Sequence, residues 1–183
     1  CTVYALILPA ITATANVYEL DEDNDITSVK LQIMPSGSSK WQTVGATTET
    51  LTVGLNDKLQ FQMNYTLDSG TLSSTCDTIS YQLPVVFSSV TVVEDAPVID
   101  NGAIIGTYSI TQDGLVTITF NSTMVTKNAS VPIVGTFMFN CKVSDVLGTG
   151  GTQTITIGEW SIDLTTGGGG GGDETTQHET EPT

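Results

Sequence analysis

The sequence predicts an all-β fold, two antiparallel sheets packed face to face as a sandwich. Three observations carry this expectation. Apolar residues recur at every second position in several segments of the 183-residue chain, the period of a strand with one wet and one dry face. Turn signals rich in glycine, proline and Asx residues separate those segments at regular spacing. No segment sustains a helical apolar period bounded by caps, so helices are not expected.

From the amino terminus, residues 1–15 read CTVYALILPAITATA, apolar and then small, with Ala13 and Ala15 in an A-x-A arrangement before Asn16. This is the apolar region and cleavage site of a secretory signal peptide without its basic start, so the mature protein is expected to begin at or near Asn16. A spanning helix needs about 20 apolar residues, and this stretch is shorter and interrupted by Pro9. The competing reading is a first strand through Val3, Tyr4, Ile7 and Ile11; the abrupt polarity change at Asn16–Glu19 favours the signal peptide. An acidic leader, Asp21–Asp25, follows.

In the body, Leu59, Phe61, Met63 and Tyr65 alternate with Gln60, Gln62 and Asn64. Ile79, Tyr81 and Leu83 repeat the pattern and stop at Pro84. Ile104, Tyr108 and Ile110 lead into Asp113-Gly114, after which Val116, Ile118 and Phe120 alternate with Thr117 and Thr119. Glycine at 114 supplies the positive φ of a tight turn, which makes these two strands antiparallel neighbours. Phe137, Phe139 and Val143 line one face of a later strand, and Ile155 and Ile157 one face of the last. Roughly eight or nine strands over about 140 residues match a sandwich of immunoglobulin-like type, large enough to fold without metal or cofactor. The run Gly167–Gly172 and the DETTQHETEPT after it offer nothing to bury and read as a flexible linker. The expected organisation is a truncated signal peptide over 1–15, the sandwich over 16–165, and an acidic glycine-rich linker over 166–183 leading to further modules.

Charge and chemistry narrow the function classes. Twenty acidic residues against five lysines and no arginine give a formal charge of −15. Nucleic-acid binding lacks its counterion-release drive, and anionic membranes repel such a chain. The single histidine, His178, sits in the polar tail, so no serine of the body has a histidine base. Carboxylate pairs carry no specificity where twenty acids make some pair inevitable. No enzyme activity and no cofactor are expected.

Three stretches occur in a telling order: NYTLDSGTLSSTCDTISYQLP (Asn64–Pro84), GTYSITQDGLVTITFN (Gly106–Asn121) and GTFMFNCKVSD (Gly135–Asp145). Together they resemble the N-terminal Ig-like adhesin domains of Gram-positive cell-wall-anchored surface proteins of the collagen-adhesin superfamily, over about residues 25–165. The resemblance implies an extracellular module displayed at the cell wall, monomeric, binding a host-surface or matrix protein or glycan of unknown identity. The alternatives are a passive stalk, spacer or shaft domain, and a carbohydrate-binding module of a secreted hydrolase. Relatives often carry a Lys–Asn isopeptide bond assisted by a carboxylate, for which Lys30, Asp77 and Asn140 occupy comparable positions. Strand alternation argues against that bond, since Lys30 is out of phase with Leu31 and Asn140 with Phe139.

Other candidate sites come from the residues themselves. Cys76 and Cys141 form the candidate disulfide of an exported body, although Cys141 shares the inward phase of Phe139 while Cys76 is offset from Ile79. Asp21, Asp23 and Asp25 are candidate calcium ligands, but Ile26 and Gln32 stand where an EF-hand loop needs glycine and glutamate, so a solvated leader is expected. Asn64, Asn121 and Asn128 begin glycosylation sequons. Trp41 and Trp160 can stack on sugars or pack at a sheet edge. No ligand-binding residues are otherwise singled out, and folding should require neither the tail nor a bridge.

Overall fold

The computed structural model describes residues 16–87 and 89–167. The expected signal peptide, with Cys1, Ala13 and Ala15, and the tail from residue 168, with His178, lie outside the described residues. The elements in chain order are β1 (Val17–Glu19), β2 (Ile26–Met34), β3 (Gln42–Thr43), β4 (Thr50–Val53), β5 (Lys58–Leu67), β6 (Thr78–Gln82), β7 (Val93–Asp100), β8 (Ala103–Ile110), β9 (Leu115–Phe120), α1 (Ser122–Asn128), β10 (Ile133–Lys142), α2 (Val143–Leu147), β11 (Thr152–Ile157) and β12 (Trp160–Thr166).

The first sheet runs β1-β6-β9-β8-β7 and the second β10-β5-β2-β3. Phe137 of β10 meets Tyr81 of β6 with ring centroids 5.9 Å apart, which joins the two across the sandwich. The centre is aromatic: Phe61 stacks on Phe139 at 5.0 Å, and Phe87, from the loop after β6, closes edge-on at 4.9 Å. Leu59, Phe61, Met63, Tyr65 and Leu67 of β5 are all buried, as are Ile79, Tyr81 and Leu83 and then Val116, Ile118 and Phe120. Period-two alternation therefore reads these strands directly, and each buried Phe or Leu contributes roughly 1.5–3 kcal/mol. The Asp113-Gly114 turn is present with Gly114 at φ 84°, between antiparallel β8 and β9.

The all-β sandwich has features beyond the expected pair of antiparallel sheets. A third sheet, β11-β12-β4, packs on the second through Trp160, whose ring stands edge-on to Phe61 at 6.1 Å. Two pairings, β1–β6 and β12–β4, are parallel. Two short helices appear: Asn121 caps α1 by accepting from the Met124 N–H at 3.1 Å, and Val143 is buried at the start of α2 instead of continuing a strand. They span seven and five residues, too short to show a sustained period. Ile104 departs from its expected inward face and is 63% exposed, paired with the equally exposed Ile99 of β7, while its neighbour Ile105 packs against the core instead. β12 ends at Thr166, one residue into the expected linker, held by its N–H donating to the Gly151 carbonyl at 2.9 Å.

The acidic leader is built into the fold. Asp25 is buried, and its Oδ2 accepts from the Asp21 N–H at 2.8 Å and from the Tyr18 hydroxyl at 3.0 Å. Asp21 Oδ1 accepts from the N–H groups of Asp23 and Asn24, an Asx turn that reverses the chain into β2. Glu22 ties two sheets together, accepting from the Tyr81 hydroxyl at 2.6 Å and from the Gly158 N–H at 3.1 Å. Gly158, at φ 54°, opens the two-residue β11–β12 turn. The expectation of a merely solvated leader is corrected: its carboxylates fold the entry to β2.

Candidate functional site

β7 and β10 are edge strands of the first and second sheets, and they face each other along one side of the sandwich. A groove runs between them in two contiguous parts of about 540 and 270 Å³ that share Val98, Ile99 and Thr136. Its floor is core: Tyr65, Phe120 and Ile133 in the larger part, Ile118 and Phe137 in the smaller. Its rim is apolar and wet, with Val134 75%, Ile99 61% and Met138 49% exposed. Lys127 and Asp100 close one end as an ion pair at 3.9 Å.

The two edges differ. β7 carries Glu94, Asp95, Pro97 and Asp100, and its pairing with β8 shifts register twice, all devices that discourage a further strand. β10 from Ile133 to Asn140 has no charge, proline or bulge. Its free groups follow from one hydrogen bond. The Thr91 N–H donates to the Asn140 carbonyl at 3.1 Å, so residue 140 points away from β5. In an antiparallel strand the polar groups of alternate residues share a side, so those of Val134, Thr136 and Met138 point the same way. No hydrogen bond to their backbone occurs among the described residues. The result is a three-residue open ladder flanked by exposed apolar side chains. The other exposed edge of useful length, β11, presents Thr152, Thr154 and Thr156 instead.

Two features hold this face in place. Gly135 lies opposite Tyr65 in the β10–β5 register, and a Cβ at 135 would overlap the Tyr65 ring, so only glycine lets that ring lie beneath β10. Burial pushes the Tyr65 phenol well above its ordinary value and keeps it neutral. Asn128, fully buried at the end of α1, accepts from the Leu72 N–H at 2.7 Å and donates to the carbonyls of Asp68 at 3.0 Å and Val131 at 3.2 Å. It thereby fixes the chain leading into β10. As a sequon it is inaccessible in the folded protein.

The remaining sequence candidates do not assemble. Lys30 and Asn140 lie exposed on β2 and β10 with β5 between them, opposite Gln62 and Gln60, while Asp77 precedes β6 in the other sheet and accepts from the Thr78 hydroxyl. The isopeptide geometry is absent from these residues. Cys76 and Cys141 are free thiols, the first half-buried and the second buried, so the candidate bridge is not formed. Burial, with the Asp145 carboxylate as a second cause, pushes the Cys141 thiol up to about 12. Asp21, Asp23 and Asp25 do not converge on a common point; Asp21 and Asp25 spend their oxygens on the turn, and no metal-holding group of three occurs among the described residues.

The groove was not singled out from sequence, yet a signal was there: Val134 and Met138 are apolar residues on the face that alternation assigns to water. No protein-family model matches the chain, and comparison with curated proteins finds no match.

Proposed function

We propose that this chain is an extracellular, surface-displayed binding module of adhesin type, non-enzymatic, which takes an extended segment of a host-surface or matrix protein along β10. The observation that supports it is the unpaired stretch Val134–Met138, flanked by the exposed side chains of Ile99, Val134 and Met138. Backbone ladder bonds would give affinity, and the apolar groove would select alternate side chains of the guest. Cell-surface placement rests on the leader and linker patterns in the sequence. The test is adhesion. Residues 16–167 displayed on a non-adherent bacterium should confer attachment to wells coated with matrix proteins, and the Val134→Lys/Met138→Lys variant should abolish it. Attachment that survives this variant at equal display would refute the groove as the binding face.

A further inference from the structure

At the far end of β10 a second cleft, of about 420 Å³, gathers the cationic side of an otherwise acidic protein. Two of the five lysines, Lys58 and Lys142, lie directly opposite each other on β5 and β10. The Lys142 N–H donates to Asp145 Oδ2 at 3.2 Å and not to β5, which makes this the closer, non-hydrogen-bonded kind of cross-strand pair. Like charges in that position destabilise a sheet. Neither ammonium has an ion-pair partner among the described residues, where the ion pair formed is Lys127–Asp100. Trp41, half-buried, forms a wall of the same cleft beside Met34, which is opposite Lys58 on β2. Asn140 and Asp145 line it too. Two lysines against one aspartate leave the lining one charge positive.

An aromatic wall, paired ammonium groups and two hydrogen-bonding side chains are the complement of one chemical class. We propose that this cleft binds an acidic sugar residue of a glycan, separately from the β7–β10 groove. The anionic group sits between the Lys58 and Lys142 ammoniums, and the apolar face of the pyranose ring lies on Trp41. Asn140 and the unused acceptor capacity of Asp145 take ring hydroxyls. The cross-strand repulsion is thereby relieved only when the ligand is present. The anion can be a carboxylate or a sulfate ester, which the two ammoniums would bind alike. At physiological ionic strength the rest of the acidic surface is screened beyond about 8 Å, so local attraction decides.

The test is fluorescence anisotropy at physiological salt with three labelled tetrasaccharides: a hyaluronan fragment (carboxylate only), a heparin fragment (sulfate and carboxylate) and a neutral cello-oligosaccharide. The full chain should bind at least one acidic probe and not the neutral one. Binding of both acidic probes assigns a carboxylate site, and binding of heparin alone a sulfate site. Lys58→Gln/Lys142→Gln and, separately, Trp41→Ala should each weaken binding about tenfold or more, as expected for a lost charge-assisted bond or stacking face. Lys30→Gln, exposed on β2 and outside the cleft, should leave it unchanged. The double lysine variant should melt at the same temperature as the parent or higher, which separates lost binding from lost folding. Failure of both acidic probes to bind, equal binding of the neutral probe, or unaltered affinity in the double lysine variant would each overturn the proposal.

Discussion

Replacing Asn128 with alanine tests whether the entry to β10 is held by one buried amide. The side chain is fully buried and makes three hydrogen bonds, to the Leu72 N–H and to the Asp68 and Val131 carbonyls. Alanine leaves the Leu72 N–H without a partner at a cost of about 1–3 kcal/mol, and the lost Val131 bond adds about 0.5–1.5 kcal/mol, so the total is about 1.5–4.5 kcal/mol, since the Asp68 carbonyl still accepts from the Thr71 hydroxyl and N–H. For a domain of this size each kcal/mol moves the melting temperature by about 2–4 °C, which gives a fall of roughly 10 °C. Differential scanning calorimetry of the parent and Asn128→Ala reads it. Asn64→Ala is the comparison: Asn64 also joins strands, donating to Ser28 and accepting from Thr136, but in an exposed setting where water replaces both bonds. Its melting temperature should shift by no more than about 2 °C. Equal shifts in the two variants, or a fall below about 3 °C for Asn128→Ala, would show that burial of this amide does not anchor the segment.

Gly135→Ala should destabilise by about 1–3 kcal/mol in urea titration, because the added methyl overlaps the Tyr65 ring and the core must move. Under native conditions at pH 8, iodoacetamide should label Cys76 and spare Cys141, whose thiol is buried and pushed up to about 12; mass spectrometry of tryptic peptides reads the difference. Stability should fall on the alkaline side. Tyr65, Tyr81 and Cys141 are all shifted upward in the folded state, mainly by burial. Their contribution is complete below the ordinary thiol and phenol values of 9.0 and 10.0 and is lost as pH rises past them, so urea midpoints should decline above that range and not between pH 6 and 8.

The strands were legible because their alternation is long and clean: Leu59 to Leu67 is one uninterrupted inward row, and burial follows it residue by residue. The third sheet was less so. Ile155 and Ile157 mark an inward face, but nothing local says that Trp160–Thr166 will pair in parallel with Thr50–Val53, a contact more than a hundred residues distant in the chain. The helices are not legible because five to seven residues carry no sustained period, although Asn121 before Ser122 is a serviceable cap signal. The burial of Asp25, in a leader expected to be solvated, and of Asn128, which opens a glycosylation sequon, is not legible in the sequence, since burial of a polar side chain depends on partners that other segments supply. The candidate site was half legible. Val134 and Met138 break the wet face of their strand in the sequence itself, but that their edge is unpaired follows only from the sheet order.

Whether β10 offers an open ladder can be measured on the free protein by amide hydrogen exchange resolved by NMR. The N–H groups of Gly135, Phe137 and Phe139 bond to β5 and should exchange slowly, while those of Val134, Thr136 and Met138, on the same strand, should exchange orders of magnitude faster. A bound matrix-protein segment should then slow those three and leave the β11 edge unchanged. Slow exchange at Val134, Thr136 and Met138 in the free protein, or no change at them in the bound one, would contradict the assignment of this edge as the binding face.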